Sequence, residues 1–505
     1  MSGDDALAPD ELVTKAVRGL RWTVIGRPAT EGLLLASMVV LARLIAPAEF
    51  GRYAVAAIVG DIASIPLAGV GAALVQHKAI TREHLQAGFS LALATAVALV
   101  GLVLLVAGVV VVPLLGERTA DLVRLSSPLC LIVAAGTVSA ALLQRALDLR
   151  RLSIIDFVST LVRVGASVGL AIVGLGAFAL VLGAIAGEAT STAMAWVWAR
   201  PPMPRLRRAQ ARELWTYGGP ASFAAASWVG FRNCDYAIVA ARLGALEAGL
   251  YFRAYTIGVE YQKKLSKVMT TVGFPMLART RGDQELSALR TRMVQLLTVL
   301  IFPLLVLLAV EAPVFVPWLF GHRWAPAVEP TQILAIGGAA TLATDAVGSA
   351  LMAAGRPRAL LGFGWSHFAC YAGAVLVVAP HGIVAVAIAA AVVHSAFLVV
   401  AYGLLLRGRA ERPLAALWGD LRPALVSSAA LALVAIPLSA ALRDASTPAV
   451  PYLALVTLAG GAAYLVALRF AFPASLRTLR NFAARLLPGK SLSVFRHRLT
   501  PAESR

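Results

Sequence analysis

The sequence predicts an all-α polytopic membrane protein of about fourteen transmembrane helices, in two six-helix lobes related by a pseudo-two-fold and followed by a C-terminal helix pair. Three observations carry this. The chain is 59% hydrophobic and 14% charged over 505 residues, with a mean hydropathy of +0.80, far too apolar for a water-soluble globule. Apolar runs of spanning length recur along it with short connections. A sequence motif also recurs, with six such runs separating its copies.

The runs lie near residues 22–45, 53–76, 86–113, 122–143, 152–174, 177–199, 214–241, 249–278, 291–320, 331–354, 359–379, 382–406, 423–442 and 449–471. At about 1.5 Å per residue, roughly 20 residues cross a hydrocarbon core. The breaks carry Pro, Gly or charge, and no loop is long enough for an extramembrane domain. The expected organisation is an N-terminal segment 1–21, an N-lobe 22–199, a basic connector 200–213 and a C-lobe 214–406. A loop 407–422, a helix pair 423–471 and a basic tail 472–505 complete it.

The net charge of +19 would suggest nucleic acid in a soluble protein, but here the cations sit between apolar runs, so no nucleic-acid partner is expected. Arginine and lysine cluster on alternate connections, as in Lys15, Arg18 and Arg21, then Arg145, Arg150 and Arg151, then Arg200 to Arg212. The bias, about four to one, places both termini in the cytoplasm under the positive-inside rule. The acidic start, with Asp4, Asp5, Asp10 and Glu11, argues against a cleaved signal peptide. Cys130, Cys234 and Cys370 are far apart in apolar runs, without CxxC spacing, and read as packing residues. No metal or cofactor motif is present. Trp196, Trp198, Trp215, Trp318 and Trp324 lie near run ends, as an aromatic belt requires.

The repeat pairs Ala42-Arg43-Leu44 and Glu49-x-Gly51-x-Tyr53 with Ala241-Arg242-Leu243 and Glu247-x-Gly249-x-Tyr251. An even spacing in one orientation implies two bundles related by an axis along the membrane normal, with a cavity between them. The run 249–278 is the most telling. Arg253, Glu260, Lys264, Lys267 and Thr271 fall on one helical stripe, with Lys263 beside it. A charge at the centre of a lipid-facing span costs roughly 2.5–3.5 kcal/mol, so the stripe should face helices or a watery cavity. The competing reading is a basic amphipathic helix on the bilayer surface.

Around these motifs the chain resembles a known family. LVTKAVRGLRWTVIG, LARLIAPAEFGRYAVAAIVG, the segment Gly69 to Gln76, the second repeat copy and Phe274-Pro275-Met276-Leu277-Ala278-Arg279 are similar to bacterial polysaccharide flippases of the MOP exporter superfamily. That superfamily also contains MATE drug exporters and lipid II flippases. The resemblance runs from about residue 12 to 470 and implies translocation of undecaprenyl-diphosphate-linked oligosaccharides across a bacterial inner membrane, in lipopolysaccharide or exopolysaccharide synthesis. It implies a lipid-linked oligosaccharide as substrate, with membrane lipids and polymerase or export machinery as candidate partners.

A diphosphate headgroup calls for fixed cations deep in the membrane, tempered by counter-charge. Arg163, Arg232, Arg253, Lys264, Lys267 and Glu260 are the candidates for lining the cavity. Arg232 has a second reading, an intrahelical pair with Asp235, and Arg27 beside Glu31 either snorkels or touches substrate. Asp61, Glu188, Asp235 and Asp345 are candidates for coupling to H+ or Na+, or else protonated acids tied to hydroxyls. His367 and His394 either titrate or pack. Enzymatic signals are absent: no DxD, no HExxH and no Ser-His-Asp set on one side. The rival functions are an ion-coupled drug exporter, a lipid II flippase and a membrane enzyme of polysaccharide assembly.

Overall fold

Inside a bilayer the backbone finds no water, so each spanning segment must satisfy its own N–H and C=O groups, and this chain does so with α-helices. The computed structural model describes residues 28–77, 79–260, 282–353, 357–408 and 411–486, and no strand occurs among them. The helices are α1 (28–44), α2 (Pro47–Gln76), α3 (Arg82–Leu115), α4 (Glu117–Arg145) and α5 (Leu149–Ile172). Next come α6 (Ala177–Trp198), α7 (Arg208–Leu243), α8 (Ala245–Tyr255, continued by a π turn Thr256–Glu260) and α9 (Asp283–Phe320). Then follow α10 (Val328–Ala353), α11 (Pro357–Val378), α12 (Ile383–Leu406), α13 (Pro413–Asp444), α14 (Ala449–Ala471) and α15 (Pro473–Leu486).

Ten of these, α2 to α6, α9 and α11 to α14, are long and apolar enough to cross a membrane. The protein is thus an all-helical multi-span membrane protein. Four of the fourteen expected runs fall outside that set for identifiable reasons. The runs at 22–45 and 249–278 lie only partly within the described residues. α7 has the length but carries too many polar residues, among them Arg232, Asn233 and Asp235, and the run at 331–354 also lies only partly within the described residues.

Local sequence sets the ends. Pro47 opens α2, the Thr81 side chain caps α3 and Asp148 accepts from the Arg151 amide to start α5. Between α5 and α6 the chain reverses through Gly174 at φ +90° and Gly176 at φ +56°, a left-handed backbone that a Cβ disfavours. α3 leaves Val97, Leu102, Leu105, Val109 and Leu114 exposed. Water would penalise such a face by about 25 cal/mol per Å²; lipid does not.

The helices form two compact units, residues Met1–Phe252 with Leu319–Trp324, and Arg253–Trp318 with Ala325–Arg505. The division falls beyond the connector 200–213, and α7 belongs to the first unit. In the second, α9, α10, α12, α13 and α14 share one core containing Tyr402, Tyr452 and Tyr464. α15 lays Leu476 and Leu479 on that core, while Arg477 and Arg480 fall elsewhere on the helix. Two expectations change. Trp324 is not a belt residue: it is fully buried and donates its indole N–H to the Ala42 carbonyl at 3.0 Å. Of the cysteines only Cys130 is buried, while Cys370 is exposed, because its face of α11 points away from the core.

Candidate functional site

In the first unit the structure gathers several charges at apolar depth. α5 and α6 approach closely because Gly183 and Gly187 face Ser167, Ser159 and Arg163 with no room for a Cβ. That approach brings Arg163 Nη2 to 3.3 Å from Glu188 Oε1. Two residues expected in different roles, one lining and one coupling, therefore form a single pair. Both side chains remain about two-fifths exposed, at 41% and 38%.

A second group joins α2 and α7. Asn233 donates to Asp61 Oδ2 at 2.9 Å, and Arg232 Nε lies 3.8 Å from the same oxygen. Their approach also depends on glycine, since a Cβ on Gly69 would strike Ser222 and stand 2.8 Å from the Gly218 carbonyl. Asp235, one turn on, is 1% exposed. It accepts from the Tyr251 hydroxyl at 3.1 Å and from the Tyr236 amide at 2.9 Å. This candidate coupling acid is tied to a hydroxyl, and Tyr251 belongs to the second copy of the repeat.

The repeated turn itself is a clamp. Glu49 pairs with Arg52 and with Arg118 at 3.1 Å. Its other oxygen accepts from the Ala177 amide at 3.1 Å, the positive end of the α6 dipole. Arg43 donates to the Leu319 carbonyl at 3.1 Å, and Arg323 returns bonds to the carbonyls of Ala42, at 2.7 Å, and Arg43.

In the second unit Arg253 is 2% exposed, and Glu260 and Asp345 are half-buried. Lys264 and Lys267, like Lys263, Thr271 and Arg27, lie outside the described residues. His367 Nε2 and His394 Nδ1 are 2.9 Å apart beneath the stacked ring of Phe397.

Three features escaped the sequence reading. Arg290, just before the apolar run 291–320, is 1% exposed and bonds Glu411 at 2.9 Å and Asp420 at 3.0 Å. Tyr402 and Thr291 complete that network on Asp420 at 2.7 and 2.6 Å. Glu311 accepts from Thr457 at 2.7 Å; its signal was a lone acid within the run 291–320. At the start of α5 a cavity of about 400 Å³ is lined by Asp148, Arg150, Arg151, Ile154 and Trp198, with the Arg151 guanidinium 5.9 Å from the Trp198 ring.

Chemically, half-exposed ion pairs at apolar depth need a polar neighbour, for lipid would penalise them. Each arginine can exchange its carboxylate for another anion, and each acid can then take a cation or proton.

Known proteins share both the sequence and the fold. A family model described as polysaccharide biosynthesis protein matches residues 40–329. The lipopolysaccharide biosynthesis protein WzxC of Escherichia coli (strain K12) is 27% identical over 68% of this chain and 70% of its own length. The succinoglycan biosynthesis transport protein ExoT of Rhizobium meliloti (strain 1021) is 28% identical over 65% of this chain and 67% of its own. Among solved structures, the lipid II flippase MurJ in an inward closed conformation superposes with a TM-score of 0.72 at 11% identity, over 89% of this chain and 98% of that one. An inward-facing MATE multidrug transporter of the MOP superfamily gives 0.58 at 13% identity, over 77% and 93%. The chain therefore belongs to the polysaccharide biosynthesis protein family, and its fold is that of the MOP superfamily.

Proposed function

We propose that the protein moves undecaprenyl-diphosphate-linked oligosaccharide units from the cytoplasmic to the periplasmic leaflet of a bacterial inner membrane by alternating access. In this reading fourteen helices span the bilayer as two six-helix lobes and a C-terminal pair, with both termini cytoplasmic. The relationship to ExoT, named as a transport protein, and to WzxC, named for lipopolysaccharide biosynthesis, supports the substrate class. The observation that carries the reading is the pair of half-exposed arginines, Arg163 and Arg232, each set against an acid in the first unit.

A diphosphate would displace Glu188 from the Arg163 guanidinium and Asp61 from its ion pair with Arg232, and each acid so released could bind H+ or Na+. Lys264, Lys267 and Arg253 would extend the cationic path, with Glu260 limiting its strength. The cavity at Arg150, Arg151 and Trp198 suits a headgroup waiting in the cytoplasmic leaflet. The isoprenoid tail would stay in lipid throughout. No step requires bond making or breaking.

The deciding experiment reconstitutes the protein in vesicles bearing a fluorescent undecaprenyl-diphosphate oligosaccharide in one leaflet. Leaflet exchange dependent on protein and abolished by Arg163→Ala supports the reading. Exchange of small organic cations with no lipid movement favours a drug exporter. Lipid II exchanged in preference to the polysaccharide repeat favours a peptidoglycan role.

A further inference from the structure

Three side chains that can ligate metal meet in the first unit, away from the pairs just described. His77 follows the last turn of α2, His84 sits in the first turn of α3 and Glu213 in the second turn of α7. His77 Nε2 lies 2.8 Å from Glu213 Oε1, and His84 Nε2 lies 3.1 Å from Oε2. The imidazole rings are 4.5 Å apart, tilted by 41°. One ligand atom from each residue falls within 4.8 Å of the others. We infer that His77, His84 and Glu213 bind a first-row divalent cation, zinc in the first instance.

The site is built rather than accidental. Arg145 donates to the carbonyls of Val75, at 3.2 Å, and of His77, so the backbone carrying the first histidine is pinned. Thr81 and His84 form a capping box, in which the His84 amide donates to Thr81 Oγ1 at 3.4 Å. Thr81 Oγ1 also stands 2.7 Å from His84 Nδ1. In the capping box Nδ1 accepts from the Thr81 amide at 3.3 Å; with an ion on Nε2 it would instead carry the proton and donate to Thr81 Oγ1, the orienting bond a metal-ligating histidine needs. His84 is 8% exposed, while Glu213 is reachable from solvent.

Without an ion, each Nε2 must carry the proton, because an ionised carboxylate only accepts. Binding shifts each neutral imidazole to its other tautomer, with no net proton released from the rings. Two imidazoles and one carboxylate suit zinc, cobalt, nickel or ferrous iron; magnesium and calcium favour oxygen alone. Zinc–nitrogen bonds of about 2.0–2.1 Å put neighbouring ligand atoms about 3.3 Å apart, a small spread from the hydrogen-bonded spacing. A fourth position stays open to water. The ion would then tie the connection between α2 and α3 to the start of α7.

The test uses the full chain in detergent with any histidine tag removed, because five further histidines, His322, His367, His381, His394 and His497, could bind weakly. Equilibrium dialysis against Zn2+ should give one more tightly bound ion per chain in the wild type than in His77→Gln/His84→Gln. His322→Gln should match the wild type, Glu213→Gln should weaken binding at least tenfold, and a thousandfold excess of Mg2+ should not displace the ion. Co2+ should give a visible absorption band in the wild type alone, a readout that does not require the double variant to fold. Equal zinc stoichiometry in wild type and double variant, or no cobalt band in the wild type, would overturn the assignment and leave an ordinary histidine–carboxylate cluster.

Discussion

Gly51 and Gly249, the central glycines of the two copies of the repeated turn, lie backbone against backbone. A Cβ on Gly51 would strike the Ala245 carbonyl and stand 2.8 Å from the Gly249 amide nitrogen. One on Gly249 would strike the Pro47 carbonyl and stand 2.9 Å from the Gly51 amide nitrogen. The contact is reciprocal, as expected where two copies of one motif meet about a shared axis. Glycine is required here for close approach, not for φ.

Because the obstacles are carbonyl groups rather than side-chain tips, neither helix can yield cheaply. Gly51→Ala and Gly249→Ala should each destabilise the protein by about 1–3 kcal/mol or more. Gly60→Ala, where nothing lies within 4 Å, should be neutral or mildly stabilising, since alanine is the better helix former. Thermal unfolding in detergent distinguishes them. A Gly51→Ala protein as stable as Gly60→Ala would refute the close contact.

Arg163 and Glu188 separate a transport role from a structural one. Losing a charge-assisted bond to a phosphate costs about 1.5–3 kcal/mol, so Arg163→Ala should lower export of repeat units by about tenfold or more while membrane insertion persists. The swapped pair Arg163→Glu/Glu188→Arg should restore stability and not export. Recovery of export by the swap would reduce the pair to scaffolding.

Much of this was legible in the sequence, and the gaps have physical causes. Periodic apolar runs gave most of the helices, because a membrane span needs only length and apolarity. The repeat marked Gly51 and Gly249 as equivalent but could not say that they touch. Arg163 and Glu188 were each visible as charges in apolar runs; their pairing depends on Gly183 and Gly187, whose effect appears only once α5 and α6 are antiparallel. Arg290 gave no warning, because a cation two residues before Arg292, at the edge of the apolar run 291–320, carries no sign of the partner acids at 411 and 420. His77 and Glu213 are separated by more than a hundred residues, and no spacing rule joins them.

Glu213 supplies a pH prediction. Hydrogen bonds from His77, then His84, hold its carboxyl below the usual carboxylate range. A depressed carboxylate contributes stability above its unfolded pKa and loses it as pH falls through the lower, folded value. The difference in melting temperature between wild type and Glu213→Gln should therefore be full near neutrality and close only in distinctly acid solution. Glu213 is half exposed, so the difference should be small and should shrink in high salt. A difference that vanishes above pH 5 would contradict the geometry.

The network on Arg290 offers the sharpest stability test. Arg290 and Asp420 are 1% and 2% exposed, and Glu411 closes the other side of the guanidinium. Removing one member of a buried pair strands the other, at about 3–5 kcal/mol, whereas removing both for apolar residues of similar size can be nearly neutral. Arg290→Met alone should strongly destabilise the second unit, because Asp420 and Glu411 would then face each other without a cation. Arg290→Met with Asp420→Leu and Glu411→Gln should recover most of the loss, although Tyr402 and Thr291 would each lose an acceptor. Melting temperatures of the single and triple variants decide the matter. A triple variant less stable than Arg290→Met would mean that the hydrogen bonds to the acids, rather than the buried charge, hold α9, α12 and α13 together.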